Sequence, residues 1–187
     1  AGLAAGLRQR HQGSWQSSWF KSAMMTTARN GIRNDSASQA PLSVLATPFD
    51  VGAGQIVSGE RANGNSLKPG IVYANSLIDH QAALCGEPNQ AGLVDPAFCA
   101  SLEAGGMSTD PSDLNLASIG IAELVSSQTV HRTVTCTGPG NDLRTWNAKV
   151  KAPPGIKVTV NPTTISCVRL GTADFTVTFE VTENTTF

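Results

Sequence analysis

Charge is scarce in this 187-residue sequence: Asp, Glu, Lys and Arg make up 14% of it, against about 25% in ordinary soluble domains. The few charges nearly cancel, 13 basic against 14 acidic, for a net charge of -1. Without a basic field there is no electrostatic reason to expect nucleic acid or an anionic membrane surface as a partner. The apolar run Ala1-Gly2-Leu3-Ala4-Ala5-Gly6-Leu7 falls well short of the ~20 residues that cross a bilayer, and it lacks the basic lead-in of a secretory signal. Membrane insertion is therefore not expected. Cysteines number four, none in C-x-x-C spacing, and His11, His80 and His131 are scattered, which argues against a zinc site. Gly52-x-Gly54 lacks the third glycine, the preceding strand and the Lys-Ser/Thr of a phosphate loop. No metal or organic cofactor is expected.

Apolar residues still reach 40% and mean hydropathy is -0.07, so the chain can bury a core and is not of disordered composition. Low charge with abundant Ser, Thr, Asn and Gly leans towards a secreted protein. The first 30 residues read as two helices. Ala1 to Gln9 is small and apolar on nearly every side, which suits a helix buried all round. Trp15, Trp19, Phe20, Ala23 and Met24 then form a stripe at helical spacing, with Ser14 as the expected N-cap and Thr26-Thr27 near the end. These aromatic residues and methionines are expected to pack a core rather than to hold a cofactor. Residues 31–46 read as a polar loop, Ile71-Val72-Tyr73 as a short strand, and 75–84 as a helix ending near Cys85.

The pattern changes near residue 105. Gly105-Gly106 and Asp110-Pro111-Ser112-Asp113 punctuate the chain, and period-two runs follow. Leu114/Leu116 and Ile119/Ile121 read as a first strand with a change of phase. Thr129–Thr135, Trp146–Val150, Ile156–Val160, Thr164–Val168 and Phe175–Val181 read as further strands, with Pro153-Pro154-Gly155 and Asn161-Pro162 as turns. Short strands with a turn signal about every ten residues predict a β-sandwich. The fold class is α+β, with a helical part at 1–105 and an all-β part at 106–187.

Cys85 and Cys99 bracket a Gly/Pro/Asn-rich segment and are candidates for a disulfide. Closing a loop of about fifteen residues stabilises by ~3 kcal/mol in the chain-entropy account. Cys136 and Cys167 each end a strand, and either pair with each other or serve as small buried residues. A disulfide would place the chain in an oxidising compartment. Asn184-Thr185-Thr186 is a candidate N-glycosylation site. Asp79-His80 is the one acid–imidazole neighbour pair, but adjacent residues rarely aim at a common nucleophile, and no Gly-x-Ser-x-Gly elbow accompanies it.

Seven segments in order resemble the C-terminal part of a subtilisin-type serine protease carrying a fibronectin-III-like domain. Ala1–Ala5 followed by Arg8-Gln9-Arg10-His11 resembles the helix after the catalytic serine, and Phe20–Ala28, FKSAMMTTA, resembles the next helix. Thr47-Pro48-Phe49-Asp50 with Gly52-Ala53-Gly54 and Pro69–Tyr73 resemble the "TPFDYGAGH…DPGLVY" stretch. Asp113–Ile119 resembles "DLNYPSI", while Arg132–Thr135, Ala152–Val160 and Phe175–Phe179 resemble segments of the fibronectin-III-like domain. There are departures: Gln16-Ser17 replaces the usual Ser-Pro, Gln55 a frequent His, and Cys136 the Asn of "TVTN".

The resemblance implies that 1–105 is the end of an α/β catalytic domain and 106–187 most of the β-sandwich, lacking its last strands. It also implies peptide-bond hydrolysis of protein or peptide substrates by a secreted endopeptidase, and leaves a homodimer open. The family's serine motif "GTSMA" has no match in this sequence. The nucleophile is expected just upstream of Ala1 and the other catalytic groups farther upstream, so no catalytic residue is assigned in 1–187. A non-enzymatic fibronectin-III-type binding or adhesion module and a catalytically dead homologue are the alternatives.

Overall fold

The computed structural model describes residues 2–29, 51–57, 65–88, 92–138 and 140–182. By compactness the chain divides into a unit of residues 1–72 with 137–139 and a unit of 73–136 with 140–187. This division falls at 72/73, so the helices between 77 and 104 group with the strands.

In the first unit, α1 (Gly2–Arg10) and α2 (Ser17–Thr26) are joined by a turn through Gly13, whose φ of +71° favours glycine. Contrary to the expectation of a helix buried all round, α1 buries only Leu7. Its alanine side chains are small and its glycines have none, and the described residues cover a single stripe of it. Nor is Ser14 the N-cap of α2. That position is Gln16, which makes no side-chain cap bond, while the Ser14 hydroxyl donates backwards to the His11 carbonyl. The Trp stripe does pack: Trp19 and Ala23 are buried, and Trp15 stacks on His11 with ring centroids 3.8 Å apart. Past α2, the buried hydroxyls of Thr27 and Ser66 lie 2.8 Å apart, within reach of the Ala23 and Val57 carbonyls. Arg29 and Gln55 exchange two main-chain hydrogen bonds, at 2.8 and 3.0 Å.

A short strand, β1 (Ile71–Tyr73), straddles the division. In the second unit, α3 (Leu77–Cys85) starts with a capping box: the Asp79 N–H reaches the Ser76 hydroxyl, and the Asp79 carboxylate accepts from the Ser76 N–H at 2.6 Å. Gly86 closes α3 beside the Thr109 carbonyl, at a point where any Cβ would collide with it. The sequence reading missed α4 (Pro96–Ala104), yet its signal was present. Asp95 caps the Ala97 N–H at 2.8 Å, and Pro96 occupies the first turn, where its missing N–H is not needed.

The strands are β2 (Ser127–Cys136), β3 (Arg144–Asn147), β4 (Ile156–Asn161), β5 (Thr164–Cys167) and β6 (Thr172–Val181). All ladders among them are antiparallel. β6 lies between β2 and β4, with Val130 opposite Val177 and Val158 opposite Phe179, while β3 and β5 form a separate two-stranded ladder. β4 leads directly into β5, so the chain changes sheets at Asn161-Pro162. Pro154 and Gly155 are the central residues of the turn into β4; Gly155 has φ +74°, as a type II turn requires. Cys136 at the end of β2 is bonded to Cys167 at the end of β5, which ties the two sheets together. The run 114–121 is not a strand. After the 3-10 turn Pro111–Asp113 it stays irregular, because its contacts with β2 run through side chains. Antiparallel sheets with accompanying helices make the fold mixed α+β.

The Gly86 contact can be tested by substitution. Gly86→Ala should lower the unfolding free energy by about 1–3 kcal/mol, the usual range for overpacking. Gly120→Ala meets no atom within 4 Å and should stay within about 0.5 kcal/mol of the parent. Urea unfolding curves of the two variants make the comparison, and equal effects would refute the close-approach account.

Candidate functional site

The second unit is organised around the outer edge of β2. Over residues 131–133 that edge is bonded to side chains of the segment before it. The His131 N–H donates to Asp113 Oδ1 at 2.7 Å, and the Thr133 N–H donates to Asn115 Oδ1 at 3.1 Å. Asn115 Nδ2 donates in turn to the carbonyls of Thr133 and Ala74, both at 2.8 Å. Asn75 Nδ2 completes the set by donating to the Asn115 carbonyl at 3.0 Å. One carboxamide thus fixes the 74–75 chain and the 113–116 chain to the same strand. Farther along, Gln128 Nε2 donates to Asp110 Oδ2 at 3.0 Å and to the Ser112 hydroxyl at 2.8 Å.

Arg132 secures the next stretch. It shares the inward face of β2 with Val130 and Val134 and is 3% exposed. Its Nε donates to the Leu116 carbonyl at 3.1 Å, and its terminal nitrogens donate to His131 O at 2.7 Å and Ser118 O at 3.2 Å. Burial lowers the guanidinium's pKa, while the fields of Tyr73 and Asp113 act to raise it. Burial likewise raises the Tyr73 phenol, with Arg132 opposing. An arginine in the apolar phase of a strand was visible in the sequence as Val130-His131-Arg132-Thr133-Val134, and it is the signal the sequence reading did not use.

On the other face of β2 lies a cleft of about 790 Å³ lined by Asp79, Glu103, Ser108, Asp113, His131 and Thr133, among others. It does not hold a charge-relay arrangement. The Ser108 hydroxyl donates to Asp113 Oδ2 at 2.8 Å, and the exposed His131 imidazole sits 3.4 Å from Asp113 Oδ1. The order is serine–carboxylate–imidazole, so the imidazole has no hydroxyl to deprotonate. Asp79 is committed to its capping box, and His80 Nε2 lies 3.1 Å from Asn75 Oδ1. Among the described residues no group of three or more His, Cys, Asp or Glu could hold a metal, and no helix is long and apolar enough to cross a membrane.

The four cysteines form two disulfides, Cys85–Cys99 and Cys136–Cys167, with Cα atoms 5.7 and 6.1 Å apart. Cys136 and Cys167 are also buried, at 1% and 5% exposure, so the two roles weighed for them coincide. Asn184 lies outside the described residues.

A family model described as a fibronectin type-III domain matches residues 113–187. Among curated proteins of Arabidopsis thaliana, subtilisin-like protease SBT3.13 is 35% identical over 178 residues, covering 88% of this chain and 21% of its own length. Subtilisin-like protease SBT2.5 is 31% identical over 189 residues, covering 97% of this chain and 22% of its own. This chain belongs to the subtilisin-like protease family. It spans about a fifth of the length of the curated relatives it matches. In this subtilase Asp113 and Asn115, which bind β2, and Gln128 and Arg132, which reach out from β2, all lie within the fibronectin-type match. No feature of the described residues or of the relatives points to a homodimer.

Two outcomes follow. Asn115→Ala leaves the Thr133 N–H and C=O and the Ala74 carbonyl without their partner, and should cost about 2–4 kcal/mol in urea unfolding, since each unsatisfied buried group costs ~1–3 kcal/mol. A loss below about 0.5 kcal/mol would remove Asn115 from this role. The second outcome concerns pH. Desolvation raises the Asp110 pKa, but hydrogen bonds from Ser112 and Gln128 outweigh it, and the net shift is downward. A carboxyl depressed in the folded state stabilises above its ordinary range, and the stabilisation is lost as pH falls through its folded value. Stability should therefore decline less steeply below about pH 4 in Asp110→Asn than in the parent; parallel acid profiles would contradict this.

Proposed function

We propose that this chain serves as scaffold in a secreted subtilisin-like serine endopeptidase, joining the end of the catalytic domain to a fibronectin-III-like β-sandwich. The observation that carries this reading is the reach of the similarity. The fibronectin-type match begins at 113, whereas the protease relatives align over 88–97% of the chain and so extend well into the helical part. A stand-alone fibronectin-type binding module has no need of that helical part.

In this reading the parent hydrolyses peptide bonds of protein substrates through an acyl-enzyme, with serine, histidine and aspartate supplied by sequence outside residues 1–187. The reaction needs no metal or organic cofactor. α1 anchors the turn that bears the nucleophile, with the positive end of its helix dipole towards the site. Two disulfides among the described residues fit an oxidising compartment and hence secretion.

Active-site labelling tests the proposal. The natural protein that carries this chain should react stoichiometrically with a fluorophosphonate probe and hydrolyse peptides, and residues 1–187 expressed alone should do neither. A natural protein that folds, is secreted and fails to label would point to a catalytically dead homologue. Labelling of 1–187 by itself would show that the nucleophile had been misplaced.

A further inference from the structure

The two disulfides sit in opposite surroundings. Cys136 and Cys167 are buried between the sheets, whereas Cys85 and Cys99 are half-buried and line a cavity of about 390 Å³ with Gly86, Pro88, Pro96 and Glu103. That cavity gives a thiol room to approach the sulfur atoms. What Cys85–Cys99 holds is also distinctive: α4 has no buried residue.

The hydrogen bonds at both ends of α4 are local. Asp95 caps its first turn, and the N–H groups of Gly105 and Gly106 close its last on Ser101 and Glu103. The Thr109 hydroxyl reaches Glu103 Oε1 at 3.0 Å, but that bond is exposed to water. A nine-residue helix whose apolar side chains, Phe98 and Leu102, are only half-buried is marginal in water without a covalent anchor. The disulfide to the end of α3 is thus the main restraint that keeps α4 in place.

We propose that Cys85–Cys99 is a reducible latch, opened by a dithiol reductant to release α4 from α3 while Cys136–Cys167 and the sheets stay intact. One thiolate of the reductant attacks a sulfur of the disulfide, forming a mixed disulfide and expelling the other cysteine as thiolate. The second thiol of the reductant then displaces the remaining cysteine. The chain gains two electrons and two protons as two thiols, and the reductant leaves as its own disulfide. Glu103 and residues 106–108 form part of the cleft beside β2, so release of α4 opens that wall. The latch stands whether or not the parent is an active protease.

The test is graded reduction of the full chain with dithiothreitol, followed by alkylation, mass spectrometry and hydrogen exchange. Cys85 and Cys99 should alkylate at reductant concentrations roughly ten-fold below those needed for Cys136 and Cys167, as access dictates. Amides of α4 should then lose protection by about ten-fold or more, while those of β2 and β6 keep theirs. The Cys85→Ser/Cys99→Ser double variant should show the same exchange pattern without reductant. Simultaneous alkylation of all four cysteines, or α4 amides that stay protected in the reduced chain or the variant, would overturn the proposal.

Discussion

A stretch of strand whose main chain is not met by a neighbouring strand on one side must have its polar groups covered in some other way, because unpaired N–H and C=O groups are costly when buried and invite aggregation when exposed. Over residues 131–133, β2 meets this constraint with side chains. Asp113 and Asn115 present carbonyl-type oxygens where a neighbouring strand would present its main chain, and the Asn115 amide returns a hydrogen bond to the Thr133 carbonyl. This arrangement explains why the segment before β2 stays irregular although it alternates like a strand. A strand in the same place would compete for the same donors and acceptor.

Arg132 extends the arrangement at some cost. Burying a charge carries an effective penalty of several kcal/mol, while a hydrogen bond to a charged group returns about 1.5–3 kcal/mol. The three carbonyls in reach of its guanidinium therefore roughly offset the burial, and Arg132 adds little net stability. Its effect is specificity: the Leu116 and Ser118 carbonyls have one partner, and the path of the chain between them is set by it. Asn115 acts by the same logic on the 74–75 chain. Through these two residues one strand dictates the course of segments that are distant in sequence.

The regular elements were legible because periodicity and turn chemistry agreed. The alternation of Phe175–Val181, the Pro-Pro-Gly turn and the Trp19/Ala23 stripe each carried a local signal, and each appears in the fold. Two features were harder to read. α1 has an all-round apolar pattern, but burial depends on what surrounds a helix, and its own residues cannot report that. Residues 114–121 alternate like a strand, but a period of two says nothing about whether an edge is free to pair. The resemblance to "DLNYPSI" located Asn115 without revealing its role. Its bonds to Thr133 and Ala74 span 18 and 41 residues, and separations of that size leave no local trace.

In the role proposed above, a β-rich unit that supports a catalytic domain needs its chain crossings fixed. That view rests on the side-chain ladder along β2 behaving as a true ladder, and native-state hydrogen exchange measures it most directly. If Asp113 and Asn115 substitute for a strand, the His131 and Thr133 amides should exchange as slowly as the amides that pair β2 with β6. Rapid exchange of those two amides, at rates typical of an open strand edge, would contradict the account.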